Sequence, residues 1–521
     1  MGTHAAIGIG LTLYACVMLA FSCFWMRRTT KSADYMIGGR NFPFWVLTGT
    51  ITAGCIGTGV IVGASGLAYK HGWAGSAYPI GLGLGTALTG LGFAVMRRYR
   101  FMTLSEEITS YYGGNRIVAE FANISLFLSQ LCWLTVQIMG AAAVLAAVTT
   151  LPIHWCVVIA GCIAAGIAIP GGLKSVVYTD FIQAIILLCG FAVLTHSALT
   201  HSGGLAGLRH AVPASYFSFL GVASYGQWKV TGLVVALILA VVADPGRRLT
   251  MYSARSEGGA RGAMIIAGLI VMVFSIVIGI AGMYAFKLAP HLKDPDEALL
   301  WLVMNVLPAW LAALVVVSVA SGIVSCASWN AMTATTFFVR HIYPLATGHL
   351  PQRPLLTMRL TLVGAFFVAI VMAMHAGTIV GFVVKFLPIT MSGLAIIILL
   401  GRFWKRATWQ GAVAALVITP TASVLGLLAP ASVTWLHNAL VPTLVGVAGH
   451  VLVSSLTPPT QRSFQEVVTV MQQQRQGVEG EASSTVGPAI SVAEKLLLIV
   501  KCSMDSYFGE LYETCEFQAD L

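Results

Sequence analysis

The chain has 521 residues, 57% of them hydrophobic and 9% charged, with a mean hydropathy of +0.85. Soluble domains carry roughly 25% charged residues, so a soluble globular protein is excluded. The net charge of +10 belongs to Lys and Arg dispersed between apolar runs, without a basic helix or aromatic platform, which excludes a nucleic-acid binder. The ten Cys sit singly, and neither a C-x-x-C nor a His/Cys ligand spacing occurs, so no disulfide framework or zinc site is expected. No Ser/His/Asp order or phosphate-binding loop is present, and an enzyme is not expected.

The composition predicts an all-α polytopic membrane protein. About thirteen apolar runs approach the ~20 residues that cross a bilayer. They cover roughly 6–26, 43–70, 75–96, 117–149, 153–170, 175–197, 227–246, 262–287, 308–338, 356–376, 378–401, 407–428 and 437–455. The first ends in Arg27-Arg28 without a small-residue cleavage site, so it reads as a retained span and not a signal peptide. Alternate loops hold nineteen Lys and Arg against five in the others. The positive-inside rule then sets the N-terminus outside and the C-terminus in the cytoplasm. The chain divides into a transmembrane domain at 1–455 and a largely flexible cytoplasmic tail at 456–521, with a short amphipathic helix expected at 490–500.

Several segments carry chemistry. In the second run, Thr52-Ala53-Gly54-Cys55-Ile56-Gly57-Thr58-Gly59 places three glycines where each weakens a helix by roughly 1 kcal/mol. Either the helix breaks there and frees carbonyls for a hard cation, or the glycines permit close packing. Asp180, in Gly171-Gly172-Leu173-Lys174-Ser175-Val176-Val177-Tyr178-Thr179-Asp180-Phe181-Ile182-Gln183, is one of very few acids near the hydrocarbon. It is either a functional carboxylate or a helix-start acid at the interface. Ser318, Ser321, Ser325 and Ser328 recur at helical spacing and share one face. Their hydroxyls either coordinate or bond their own i−4 carbonyls. Lys385 lies a third of the way into a run and either snorkels to the outer interface or lines a cavity.

Together these segments resemble the sodium:solute symporter family. The match includes Gly171-Gly172, Val176, Thr179-Asp180 and Gln183 in register, Asp34-Tyr35-Met36-Ile37-Gly38-Gly39-Arg40, Leu104-Ser105-Glu106-Glu107, Tyr252-Ser253-Ala254-Arg255-Ser256 and Phe403-Trp404-Lys405-Arg406-Ala407-Thr408. The resemblance implies a LeuT-like 5+5 inverted-repeat core, at about 43–197 and 227–401, with one extra N-terminal and two extra C-terminal helices. It implies sodium ion as the coupling ion, held by Ala53, Ile56, Gly322, Ser325 and Cys326. A second cation position is implied at Asp180, Ser325 and Ser328. Candidate solute contacts are Thr58, Tyr78, Gln137, Trp329 and Lys385. The chain departs from the family pattern at Cys55, Cys326 and Trp329, and a thiol at 326 is a poor ligand for sodium. Glu106, Glu107 and Arg248 are expected to form cytoplasmic salt bridges.

The implied function is secondary active symport of a small organic solute through a multi-pass plasma-membrane carrier. Gly59, Val60 and Pro79 stand where sugar-transporting members have Glu, Gln and Glu, and the Trp of proline transporters is absent near residue 59. Small carboxylates, amino acids and similar metabolites stay open. The rivals are a sodium-independent or proton-coupled carrier of the same fold, and a membrane sensor acting on a cytoplasmic partner through the 456–521 tail.

Overall fold

The computed structural model describes residues 2–26, 40–149, 151–168, 173–348, 351, 354–428, 440–460 and 462–473. Residues 34–39, Gly171-Gly172 and the tail from 474, with its expected helix at 490–500, lie outside the described residues. All regular elements among the described residues are helical. Helices suit lipid, because each satisfies its backbone N–H and C=O groups within one segment.

The first half holds α1 (Thr3–Met26), α2 (Phe44–Cys55), α3 (Ala64–His71), α4 (Ala77–Phe93), the short α5 (Leu104–Tyr111), α6 (Arg116–Val148), α7 (Ile153–Ala168) and α8 (Leu173–Ser202). The second holds α9 (Gly204–Ala211), α10 (Gln227–Val242), α11 (Pro245–Tyr252), α12 (Glu257–Leu288), α13 (Ala298–Val306), α14 (Ala309–Phe337), α15 (Pro354–Met374), α16 (Ile379–Leu387), α17 (Gly393–Phe403), α18 (Trp409–Leu428) and α19 (Leu440–Leu456). Apolar helix occupies all thirteen predicted intervals. By length and composition alone, nine described helices qualify as crossings, or ten if the bent pair α10–α11 is one span. The count of thirteen therefore depends on shorter apolar pieces such as α2 and α19.

Three interruptions shape the middle of the bundle. After α2, Ile56 leaves helical geometry at φ −97° and ψ 63°, and a π-turn over Gly59–Gly63 leads into α3. The glycines at 54–59 thus mark a broken helix. A Cβ on Gly57 would lie 2.8 Å from Cys326 Sγ and 3.0 Å from Gln137 Oε1, so the break also requires close approach. The second interruption is a 46° bend between α10 and α11. There Asp244 caps α11, accepting from the Gly246 N–H at 2.8 Å and the Arg247 N–H at 3.4 Å, with Pro245 at the first helical position. The third is a π-turn over Pro388–Ser392, joining α16 to α17 where proline withholds a backbone donor.

Around these breaks, α2 packs on α8 and α14, α14 on α6, and α4 on both α10 and α12. A Cβ on Gly83 of α4 would lie 2.6 Å from the Gly268 carbonyl of α12, so glycine lets these helices approach closely.

At the basic end of the bundle, α5 is capped by Thr103, which accepts from the Glu106 N–H, while Glu106 Oε2 accepts from the Met102 N–H at 2.7 Å. Glu107 meets Arg248 of α11, whose Nη1 donates at 3.1 Å to Oε1 and 3.4 Å to Oε2, both side chains being 0% exposed. Tyr111 and Tyr252 also donate to Glu107, and the guanidinium lies 3.8 Å from the centre of the Phe93 ring. The expected salt bridge exists for Glu107, but it is a buried latch, whereas Glu106 serves as a cap.

The first part of the expected flexible tail is docked. A helix over 464–473 stacks Phe464 on Tyr111 and sets it edge-on to Tyr99. Gln472 Nε2 donates to the Tyr99 carbonyl at 3.3 Å. Three aromatic rings and one amide are thereby partly shielded from water, which the polar average of the tail concealed.

Candidate functional site

The break after α2 meets α14 at mid-bundle. Cys326 Sγ donates to the Ala53 carbonyl at 3.4 Å and to the Gly54 carbonyl at 3.7 Å. A Cβ on Gly322 would fall 2.8 Å from the Ile56 carbonyl oxygen, so only glycine lets these two backbones meet. Ala53, Ile56, Gly322 and Cys326 therefore converge. Backbone oxygens freed from a helix offer hard, uncharged ligands of the kind sodium prefers.

The four serines of α14 divide. Ser318 bonds the Leu314 carbonyl at 2.8 Å and the Ile186 carbonyl at 3.1 Å, and Ser321 bonds the Ser318 carbonyl at 2.9 Å. Ser325 instead donates to Asp180 Oδ1 on α8. Asp180 is 3% exposed, so the acid lies inside the bundle and not at an interface. Ser325 thus faces the Asp180 position, beside the carbonyls that Cys326 touches. Ser328 is half-buried and does not line the cavity beside them.

Both positions open on one cavity of about 50 Å³. Tyr78, Trp133, Gln137, Asp244, Arg247 and Trp329 line it, together with Asp180, Ser325, Cys326 and the glycines of the break. Tyr78 reaches over Gly59, and its hydroxyl is buried with no partner. Gln137 Oε1 accepts the Thr58 N–H at 3.1 Å and so holds the unwound backbone. Trp329 lies against Gly246, where any side chain would overlap the indole.

Of the expected solute contacts, Tyr78, Gln137 and Trp329 come together. Thr58 does not join them, because its side chain packs on Gly140 of α6. Lys385 is exposed and opens on a separate cavity of about 390 Å³ with His375, Thr378 and Phe382, away from the central one. Sequence reasoning missed Asp244, Arg247 and Trp133. The available signal for the first two was Asp244-Pro245-Gly246, a cap, a proline and a glycine inside a predicted span.

The chain is similar to several known proteins. The model of the Sodium:solute symporter family matches residues 35–419. The Sodium/pantothenate symporter of Escherichia coli (strain K12) is 23% identical over 431 residues, covering 78% of this chain and 88% of that protein. The Sodium/myo-inositol cotransporter 2 of Bos taurus is 23% identical over 78% of this chain and 68% of its own length. The High-affinity choline transporter 1 of Caenorhabditis elegans is 23% identical over 72% and 70%. Among solved structures, the substrate-bound, outward-open state of a Na+-coupled sialic acid symporter superposes with a TM-score of 0.73 at 16% identity, over 88% of this chain and 98% of that one. At that identity the likeness speaks for the fold, the LeuT-like arrangement in which broken helices meet at mid-membrane. Since the family match runs from ahead of the first broken helix to well into α18, the chain belongs to the sodium:solute symporter family.

Proposed function

We propose that this chain couples solute movement to sodium through the junction of the broken α2–α3 helix with α14. The observation that carries this reading is the convergence of the Ala53 and Ile56 carbonyls with Gly322 and Cys326, next to the Asp180–Ser325 pair. Sodium at the carbonyls holds the broken helix against α14. A second cation sits beside Asp180 and Ser325, where it compensates a carboxylate taken out of water.

The solute binds in the adjoining cavity. Its 50 Å³ admits a few waters and is small for a metabolite, so loading requires the halves of the broken helices to separate. Sodium and solute share these walls, and each must raise the other's affinity by the same factor. With the basic loops cytoplasmic and the N-terminus outside, the membrane potential contributes roughly 2.3 kcal/mol per sodium per 100 mV.

Thermal unfolding of the purified full chain in NaCl or KCl, at equal ionic strength, tests the cation site without a known solute. An ion that binds only the folded state raises the midpoint by mass action. Sodium should raise it and potassium should not, and Asp180→Ala or Ser325→Ala should remove most of the difference. Equal midpoints in the two salts, or an undiminished sodium effect in both variants, would reject the assignment.

A further inference from the structure

We infer that Arg247 is the solute anchor of the central cavity and that the solute is a small organic monoanion bearing a carboxylate. This rests on the symporter reading above.

Arg247 is 8% exposed and lines the cavity from the first turn of α11. The helix start does not depend on the guanidinium. Asp244 already caps α11 through backbone N–H groups, and the connection to α5 is made by Arg248. Arg247 Nη1 donates to Asp244 Oδ2 at 2.8 Å and the guanidinium also bonds Cys55, but its Nε is buried with no acceptor. Tyr78, close enough to feel the guanidinium charge, ends in a hydroxyl that likewise has no partner. Two buried donors thus face one cavity. A buried donor without an acceptor is costly, and both would be satisfied by the two oxygens of a carboxylate.

Charge points the same way. The cavity walls hold Arg247 against Asp244 and Asp180. A sodium at the carbonyls and a cation or proton at Asp180 leave one net positive charge. In a dry site that charge calls for one anion, so a singly charged solute closes the balance and a cationic one doubles the mismatch. Tyr78, Trp133 and Trp329 offer flat apolar faces for the remainder of the molecule. Asp244 acts as the resident counter-ion, holding the guanidinium until the solute arrives and competing with it.

The test uses the purified full chain and the intrinsic fluorescence of Trp133 and Trp329, which line the cavity. Acetate, propionate, pyruvate, lactate, nicotinate and benzoate are titrated beside propionamide, nicotinamide and benzamide, with glucose, myo-inositol and choline as neutral and cationic probes, each in NaCl and KCl. At least one carboxylate should give a saturable change in sodium, with its amide at least tenfold weaker. Arg247→Gln should weaken that carboxylate at least tenfold while the sodium-induced thermal shift persists. Asp244→Asn, which keeps an oxygen for the cap, should tighten it. If Asp244→Asn weakens binding as much as Arg247→Gln, the pair is only structural and the proposal falls. It falls equally if no carboxylate binds, or if an amide, sugar or choline binds as well in Arg247→Gln as in the parent. Carboxylate binding that is Arg247-dependent but equal in KCl would overturn sodium coupling while leaving the anchor in place.

Discussion

Arg247 and Arg248 are consecutive, both buried, and both on the first turns of α11, yet their surroundings differ in kind. At about 3.6 residues per turn they diverge by roughly 100°. Arg248 meets only protein: a carboxylate, the Val242 carbonyl at 3.3 Å and the face of Phe93, although its Nε, like that of Arg247, is buried with no acceptor. Arg247 is held by Asp244 at the start of its own helix and by Cys55, and its side chain lines the central cavity. The contrast separates a charge buried for architecture from one held ready for a ligand. The measure is whether the side chain lines a cavity, because burial and an unpartnered Nε are common to both.

Removing the two side chains in turn should break the comparison most sharply. Arg248→Ala strands Glu107 in a dry site, and breaking a buried pair costs about 3–5 kcal/mol. We expect little folded protein, seen as aggregation in size-exclusion chromatography or a midpoint lowered by many degrees. Arg248→Lys should not rescue it, because one ammonium cannot serve Glu107 and the Val242 carbonyl together and lie flat on Phe93. Arg247→Gln should fold with a midpoint near the parent's and lose solute binding. A stable Arg248→Ala, or an Arg247→Gln that fails to fold, would erase the distinction.

The next effect concerns the other buried acid. Asp180→Asn keeps the shape of the Ser325 contact and removes the charge. We expect the sodium midpoint of the thermal shift to move to at least tenfold higher concentration, with stability in KCl raised or unchanged. That outcome would place Asp180 beside Arg247, as a charge kept for a ligand. An unchanged sodium midpoint would place it with Arg248.

Much of this arrangement is legible in the sequence, and the misses have physical causes. Hydropathy places helix at all thirteen intervals because lipid leaves the backbone few choices. The meeting of Ala53, Ile56, Gly322 and Cys326 is legible, since it is built from backbone and from the glycines that expose it. Arg247 was hidden because counting charges by loop assigns it to the cytoplasm, whereas the bend at Asp244-Pro245 keeps it at the cavity wall. Lys385 failed for another reason: an apolar helix in lipid looks alike on its lipid and protein faces, so pattern does not say which way a residue points. Thr58 sits in the break itself, where the helical period no longer fixes direction. The start of the tail was misjudged because a few aromatic contacts dock it against an otherwise polar composition.

A smaller effect, near tenfold, is expected at the opposite end of the bundle from the latch. Asp296 Oδ2 accepts the Ile379 N–H at 2.8 Å, and its Oδ1 would lie 2.7 Å from a Cβ on Gly66, so one carboxyl joins the α13 loop to α3 and α16. Burial pushes its pKa up to about 7; the Ile379 N–H and Lys70 act to lower it, and Asp294 to raise it further. A carboxyl raised by burial favours this closed contact while protonated. Stability of the contact is therefore full below about pH 4 and lost as pH rises through 7, about 1 kcal/mol of it between pH 6 and 8. Hydrogen exchange at Ile379, corrected for intrinsic base catalysis, should show protection falling across that interval, and Asp296→Asn should flatten it. Protection independent of pH in the parent would remove Asp296 from the contact's energetics.

The smallest effect repeats the lesson of neighbouring residues on α14. Ser325 gives its hydroxyl to Asp180, while Cys326 turns its thiol to the Ala53 carbonyl, the oxygen assigned to sodium. A thiol there competes weakly for the carbonyl and offers sulfur to an ion that prefers oxygen. Cys326→Ser adds a hard ligand with almost no change in volume. The sodium midpoint of the thermal shift should fall severalfold, and the ranking of carboxylates over amides should persist because Arg247 is untouched. If Cys326→Ser leaves the sodium midpoint where it was, the ion does not bind at the Ala53 carbonyl. The comparison would then narrow to Asp180 alone as the place where sodium enters the energetics.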